Sequence, residues 1–139
     1  MTEKHNFPFP IADLDTEQYW AACNRDELRI QQCNGCYLYR FTPGPVCGEC
    51  GSSSSKWSKI SGLGELTSWT VVTHPIHPAA IARVPYIVAE VELQEQAHLR
   101  IITNLLDSHP EELRVGLTVE VVFQSHPSGQ KIPQFRPRR

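Results

Sequence analysis

The fold turns on residues 33–50, CNGCYLYRFTPGPVCGEC, where two Cys-x-x-Cys pairs, Cys33 with Cys36 and Cys47 with Cys50, stand ten residues apart. Four thiols at this spacing make either two redox pairs or one metal site. A redox Cys-x-x-Cys opens a helix in a βαβ unit, and the Pro and Gly residues between and after these pairs forbid that helix. Zn²⁺ takes four thiolates tetrahedrally, and each Cys-x-x-Cys turn presents two sulfurs to one point, so two turns close the shell. Gly35, Gly48 and Gly51 lie in or beside the turns, where a residue tolerant of positive φ lets backbone N–H groups face sulfur. Residues 41–46, FTPGPV, read as the turn of a short hairpin between YLYRF and the second pair. The expected module is a rubredoxin-like ribbon over residues 31–58 around one structural metal held by Cys33, Cys36, Cys47 and Cys50. Zinc is favoured, and iron, which uses similar knuckles, stays open.

Around this module the chain is small and mildly acidic. It has 139 residues, a net charge of −2 and five cysteines. That length supports one compact domain or a module plus a domain. Without a global positive field, neither nucleic acid nor an anionic membrane is an expected partner. The opening MTEKHNFPFPIADLD has no apolar run of signal-peptide length, and no later segment approaches the roughly 18 apolar residues of a membrane span. A cytoplasmic protein is expected, and in that compartment reduced thiols favour metal over disulfides.

Upstream, residues 1–30 read as a helical segment. Asp15 or Thr16 is placed to cap a helix, with Tyr19, Trp20 and Cys23 at helical spacing. The fifth cysteine, Cys23, is read as a half-buried helix residue, because no sequence-local His or acid stands ready to activate it.

Downstream, over residues 59–139, the periodicity becomes that of strands. Residues 64–74, 86–93, 98–106, 117–125 and 131–137 are β-branched or aromatic runs with period-two alternation. Residues 94–97, QEQA, read as a hairpin turn. Residues 108–116 read as a short helix capped by Ser108, with Pro110 near its start and Gly116 past its end. A helix between the third and fourth of five strands is the layout of an OB-fold barrel. The expected class is therefore mainly β, an N-terminal helix and zinc ribbon followed by a five-stranded OB-fold barrel. An OB-fold that binds nucleic acid uses a basic groove with aromatic platforms, whereas the middle strands here carry Glu90, Glu92 and Glu95.

Taken together, the two knuckles followed by SGLGELTSWTVV, VPYIVAEVEL, ITNLL, LRVGLTVEVVF and IPQFRP resemble domain-of-unknown-function family 35 over nearly the whole chain. The resemblance implies a non-catalytic accessory subunit in a heteromeric complex. The partner would be a thiolase-, aldolase- or hydratase-type enzyme that supplies the catalytic groups, in the simplest case two copies of each subunit, with acyl-CoA bound through the complex. On the residues themselves, 73–86 form a Pro-stiffened loop whose apolar section suits partner contact, with His77, Ile81 and Val84 as candidates, joined by Phe135 near the C-terminus. Lys59, Arg83 and Lys131 are candidate partners for CoA phosphates. A hydrolase or acyltransferase acting alone through Cys23 or His77 is the rival reading, and the sequence has no Gly-x-Ser-x-Gly elbow and no phosphate-cradling Gly-rich loop to support it.

Overall fold

The computed structural model describes residues 7–139. Helix α1 (Glu17–Cys23) leads into a three-stranded antiparallel sheet of order β2-β1-β3, from β1 (Arg29–Cys33), β2 (Tyr39–Arg40) and β3 (Ser55–Lys59). Five further strands close into a barrel: β4 (Leu63–Val72), β5 (Tyr86–Leu93), β6 (Arg100–Leu105), β7 (Thr118–Ser125) and β8 (Lys131–Pro137). Around the barrel the order is β4-β5-β6-β8-β7, which is the five-stranded Greek-key closure of an OB-fold.

Alternation builds the barrel. Along β5, Ile87, Ala89, Val91 and Leu93 are buried while Tyr86, Val88, Glu90 and Glu92 face outward. β6 buries Ile101, Thr103 and Leu105 in the same way. Phe135 on β8 and Val119 on β7 complete the centre at 0 % exposure. Burying Phe135 contributes about 2–3 kcal/mol. Gly64 is where β4 pairs with both β5 and β7, and a Cβ there would lie 2.6 Å from the Glu92 carbonyl oxygen. Gly64 is thus a close backbone approach that a side chain would block.

β8 pairs with its parallel neighbour β6 at one position among the described residues, Leu105 with Phe135, where the Leu106 N–H donates to the Phe135 carbonyl at 2.7 Å. Two residues earlier, at the next position of β8 facing β6, stands Pro133, which has no N–H to donate. Beside it the Gln134 side chain supplies an acceptor to β6. Its Oε1 accepts from the Asn104 N–H at 2.9 Å and from Thr103 Oγ1 at 3.1 Å.

Three local expectations differ from the structure. Residues 41–46 do not turn a hairpin. β2 pairs back onto β1, Gln31 with Arg40 and Gln32 with Tyr39, so the first knuckle is itself the hairpin turn, and 41–46 link the two knuckles. The helix expected over 108–116 is one 3₁₀ turn, Pro110–Glu112, preceded by His109 rather than Ser108; Glu112 Oε1 accepts the His109 N–H at 2.8 Å. At α1 the side chain of Thr16 does not cap. Asp13 Oδ1 instead accepts the Asp15 and Thr16 N–H groups at 3.0 and 2.9 Å.

Ribbon and barrel share one core. Tyr19 and Cys23 of α1, Leu28 and Ile30 of the ribbon, and Ile60 at its exit belong to the same buried cluster as Leu66, Val91 and Phe135. Tyr19 lies 4.9 Å from Trp20, 5.6 Å from Phe41 and 6.5 Å from Trp57, ring centre to ring centre. The β5–β6 turn adds a polar clamp, because Gln96 Oε1 accepts the Tyr39 N–H at 2.9 Å and Gln96 Nε2 donates to the Tyr39 carbonyl at 3.0 Å.

Candidate metal centre and the groove beside it

The two knuckles are one turn built twice. In the first, the Tyr37 N–H donates to the Cys33 carbonyl and the Cys33 N–H to the Leu38 carbonyl; in the second, Gly51 donates to Cys47 and Cys47 to Ser52, all at 2.9–3.0 Å. The residue after the second cysteine has positive φ in both, Tyr37 at 65° and Gly51 at 77°. Positive φ was expected at Gly35 and Gly48 as well. Gly35 matters for space instead, since a Cβ there would press to 3.3 Å from Cys50 Sγ, and its N–H points at Cys33 Sγ from 3.3 Å.

The four sulfurs lie within 4.8 Å of one another. Cys33 and Cys50 are separated by 3.5 Å, and Cys36 and Cys47 by 3.7 Å. A tetrahedron with metal–sulfur bonds of about 2.3 Å has edges of about 3.8 Å, so the four residues fit a tetrahedral thiophilic ion. All five cysteines are free thiols. The Cys36 N–H holds the Cys33 thiol down to about 6 and the Cys50 N–H lowers Cys47, so the turns favour thiolate at these two; at Cys36 the Leu38 N–H lowers, but hydrogen bonds with the neighbouring sulfurs keep its proton on, up to about 11. Four protein sulfurs fill the shell and leave no coordination position for substrate.

Cys23 is wholly buried, deeper than the half-burial expected, and burial pushes its thiol up to about 12. A thiol so protonated is no nucleophile at neutral pH. His77 Nδ1 accepts the Ala79 N–H at 3.0 Å and so caps the 3₁₀ turn Pro78–Ala80.

The remaining expected residues are scattered. Lys59 is exposed on β3, in the ribbon. Lys131 is ion-paired with Asp26 at 2.7 Å. Arg83 sits over the ring of Phe7, with Cζ 4.3 Å from the centroid. The structure does not bring the three into one pocket. Of the partner-contact residues, Ile81 is 67 % exposed, beside Ile76 at 90 %, and His77 and Val84 are half-buried. Phe135 is the correction: it lies in the centre of the barrel core, so it offers no surface to a partner.

Reasoning from the sequence missed a groove of about 820 Å³ at the barrel end beneath the Pro-rich loop, lined by Phe7, Arg83, Asn104, Ser108, His109 and His126 among others. FPF at residues 7–9 was its one local signal, two aromatics flanking a proline ahead of the first helix. Among the described residues no helix is long and apolar enough to cross a membrane.

Comparison with known proteins fits this architecture. Residues 20–55 match the family described as ChsH2, rubredoxin-like zinc ribbon domain, and residues 57–124 match ChsH2, C-terminal OB-fold domain. A DUF35 domain-containing scaffold protein of Pyrococcus furiosus is 31 % identical over 112 residues, which are 78 % of this chain and 78 % of that protein. A probable enoyl-CoA hydratase alpha subunit of Thermomonospora curvata is 35 % identical over 130 residues, 94 % of this chain, and this chain spans 40 % of its length. A solved chain of an Ltp2-ChsH2(DUF35) aldolase superposes with a TM-score of 0.84 at 34 % identity, covering 93 % of this chain and 98 % of that one.

Proposed function

Since this chain belongs to the DUF35 family of zinc-ribbon and OB-fold proteins, we propose that it is a non-catalytic accessory subunit of a thiolase-fold acyl-CoA enzyme, of thiolase, acyltransferase or aldolase type. The observation that carries this reading is the superposition on nearly the full length of the DUF35 chain of an aldolase complex. The chemistry within the chain agrees. The four-thiolate site is closed, Cys23 is buried and protonated, and His77 is committed to a backbone cap, so the reacting groups belong to the partner. The bound metal is zinc, held by Cys33, Cys36, Cys47 and Cys50, and its role is to fold the ribbon. The protein works in the cytoplasm, and two copies bind a two-fold partner, one per equivalent site. Ile81, with Val84 and His77 beside it, meets the partner. Arg83 is the one of the three expected cations on the groove, and it contacts CoA there. A second reading, accessory subunit of an acyl-CoA hydratase, is favoured by the name of the T. curvata relative. Nucleic-acid binding is disfavoured, because Glu90 and Glu92 on the outer face of β5 pair with Arg100 and leave no basic stripe.

The test is co-expression with the thiolase-like, aldolase-like or hydratase-like enzyme encoded nearest in the source genome. Size-exclusion chromatography with light scattering should show a complex of two copies each. Ile81→Asp would bury an unpaired charge in the contact and should weaken association by a few kcal/mol without loss of the barrel. No complex with any of these enzymes removes the reading; a complex indifferent to Ile81→Asp moves the interface off the loop.

A further inference from the structure

Phe7 sits in a place prepared by the rest of the chain. The Arg83 guanidinium lies over its ring, and the His77 ring stacks on it with centroids 5.9 Å apart and planes inclined by 21°. The loop backbone that carries both platform residues, and the His77 ring, are held independently of Phe7. His77 is locked by the Ala79 N–H on Nδ1, and the Arg83 and Val84 N–H groups both donate to the Ala80 carbonyl, in a loop stiffened by Pro75, Pro78 and Pro85. Phe7 itself is half-buried, and among the described residues one hydrogen bond holds its carbonyl. His126 Nδ1 accepts the Ser128 N–H at 2.9 Å, which leaves Nε2–H to donate to the Phe7 carbonyl at 2.6 Å.

Phe7 also covers part of the 820 Å³ groove, whose lining is amphipathic. It carries hydrogen-bonding groups on Asn104, Gln124 and Gln134, and Ser108 Oγ, which is buried with no partner among the described residues. Among the described residues, Arg83 and Asp107 are its full charges, one of each sign. Such a lining suits a planar ring with polar edges rather than a cluster of phosphates, which would meet Asp107 as readily as Arg83.

We propose that the Arg83–His77 platform is a binding site for a planar heteroaromatic ring, the adenine of the CoA substrate class, and that Phe7 occupies it in cis as a displaceable competitor. The choice of adenine rests on the acyl-CoA reading above; the ring site and its competitor rest on the geometry of the platform. On displacement the base takes the Phe7 position over Arg83, its polar edge faces the groove amides and Ser108, and the phosphates stay at the rim.

The experiment is isothermal titration of the purified full-length, metal-loaded chain with adenosine and, separately, with CoA. An internal occupant lowers apparent affinity by the fraction of time the site is open, so Phe7→Ala should tighten binding of both probes about ten-fold. In the Phe7→Ala background, Arg83→Ala and His77→Ala should each return affinity to the wild-type level or below. Metal content and circular dichroism check each variant, and Phe7→Leu, which keeps the apolar bulk without the ring, should give an intermediate gain. Phe7→Ala that binds adenosine no better than wild type, or more weakly, overturns the proposal, as does a Phe7→Ala gain that survives loss of Arg83. These outcomes are separate from those of the assembly test. A complex that forms while Phe7→Ala shows no gain removes the ring site alone; adenosine binding without any complex removes the accessory-subunit reading and leaves the site standing.

Discussion

Tyr19 and Cys23 lie four positions apart on α1, where helix, ribbon and barrel meet, and burial raises the pKa of both. In the unfolded chain the thiol ionises near 9, whereas in the native protein it holds its proton to about 12. Above pH 9 the unfolded state therefore binds fewer protons than the native state, and stability falls as pH rises. The contribution is intact below pH 9 and is lost progressively up to about pH 12. We expect urea midpoints to drop between pH 9 and 11, with a slope approaching about 1.4 kcal/mol per pH unit per group, and Cys23→Ala to flatten that slope. A midpoint unchanged over this range would show that the thiol ionises in place. That Cys23 is inert was legible from its neighbours in sequence. Its complete burial was not, because the atoms that cover it come from elements far along the chain.

At the scale of elements, Pro133 and Gln134 sit where the barrel closes between β6 and β8. A proline inside a sheet can donate no ladder bond, and beside it the Gln134 side chain supplies an acceptor on the β6 side, to the Asn104 N–H and the Thr103 hydroxyl. Gln134→Leu keeps the volume but leaves the Asn104 N–H and the Thr103 hydroxyl without that acceptor. It should cost about 1–3 kcal/mol in chemical denaturation, well beyond an exposed substitution on the same strand such as Arg136→Ala. A cost below about 0.5 kcal/mol would mean that water substitutes fully. The five barrel strands could be read from period-two alternation, because one face of each meets the core. The ribbon hairpin was misread since Pro43, Gly44 and Pro45 signal a turn so strongly, while the actual turn is the Cys33–Cys36 knuckle, held by sulfur geometry that residue propensity does not register. The pairing of a glutamine amide oxygen with a β6 backbone N–H has no sequence signature, since it joins positions thirty apart.

Across the whole molecule, metal and core are coupled. Cys33 is both a ligand and a buried residue of β1, whose Ile30 packs in the core shared with the barrel. Purified protein should contain one zinc per chain by elemental analysis. Cys33→Ser should abolish it and unfold the N-terminal third, seen as loss of near-ultraviolet signal from Trp20 and Trp57, while Cys23→Ser keeps the metal. A metal-free wild type with a native spectrum would refute the structural role. The order of modules was legible from the spacing of Cys pairs followed by strands; the sharing of α1 between them was not, because amphipathic spacing tells which face of a helix is buried and not against how many partners. The Gln96 clamp on Tyr39 has a geometric consequence. Exposed Tyr37 and Val46 at the ribbon tip and Ile76 and Ile81 on the barrel loop are held by one continuous body, so they behave as fixed marks on a ruler. A partner that reads both marks measures a distance set before contact, and orienting one module against the other costs no entropy at the moment of docking.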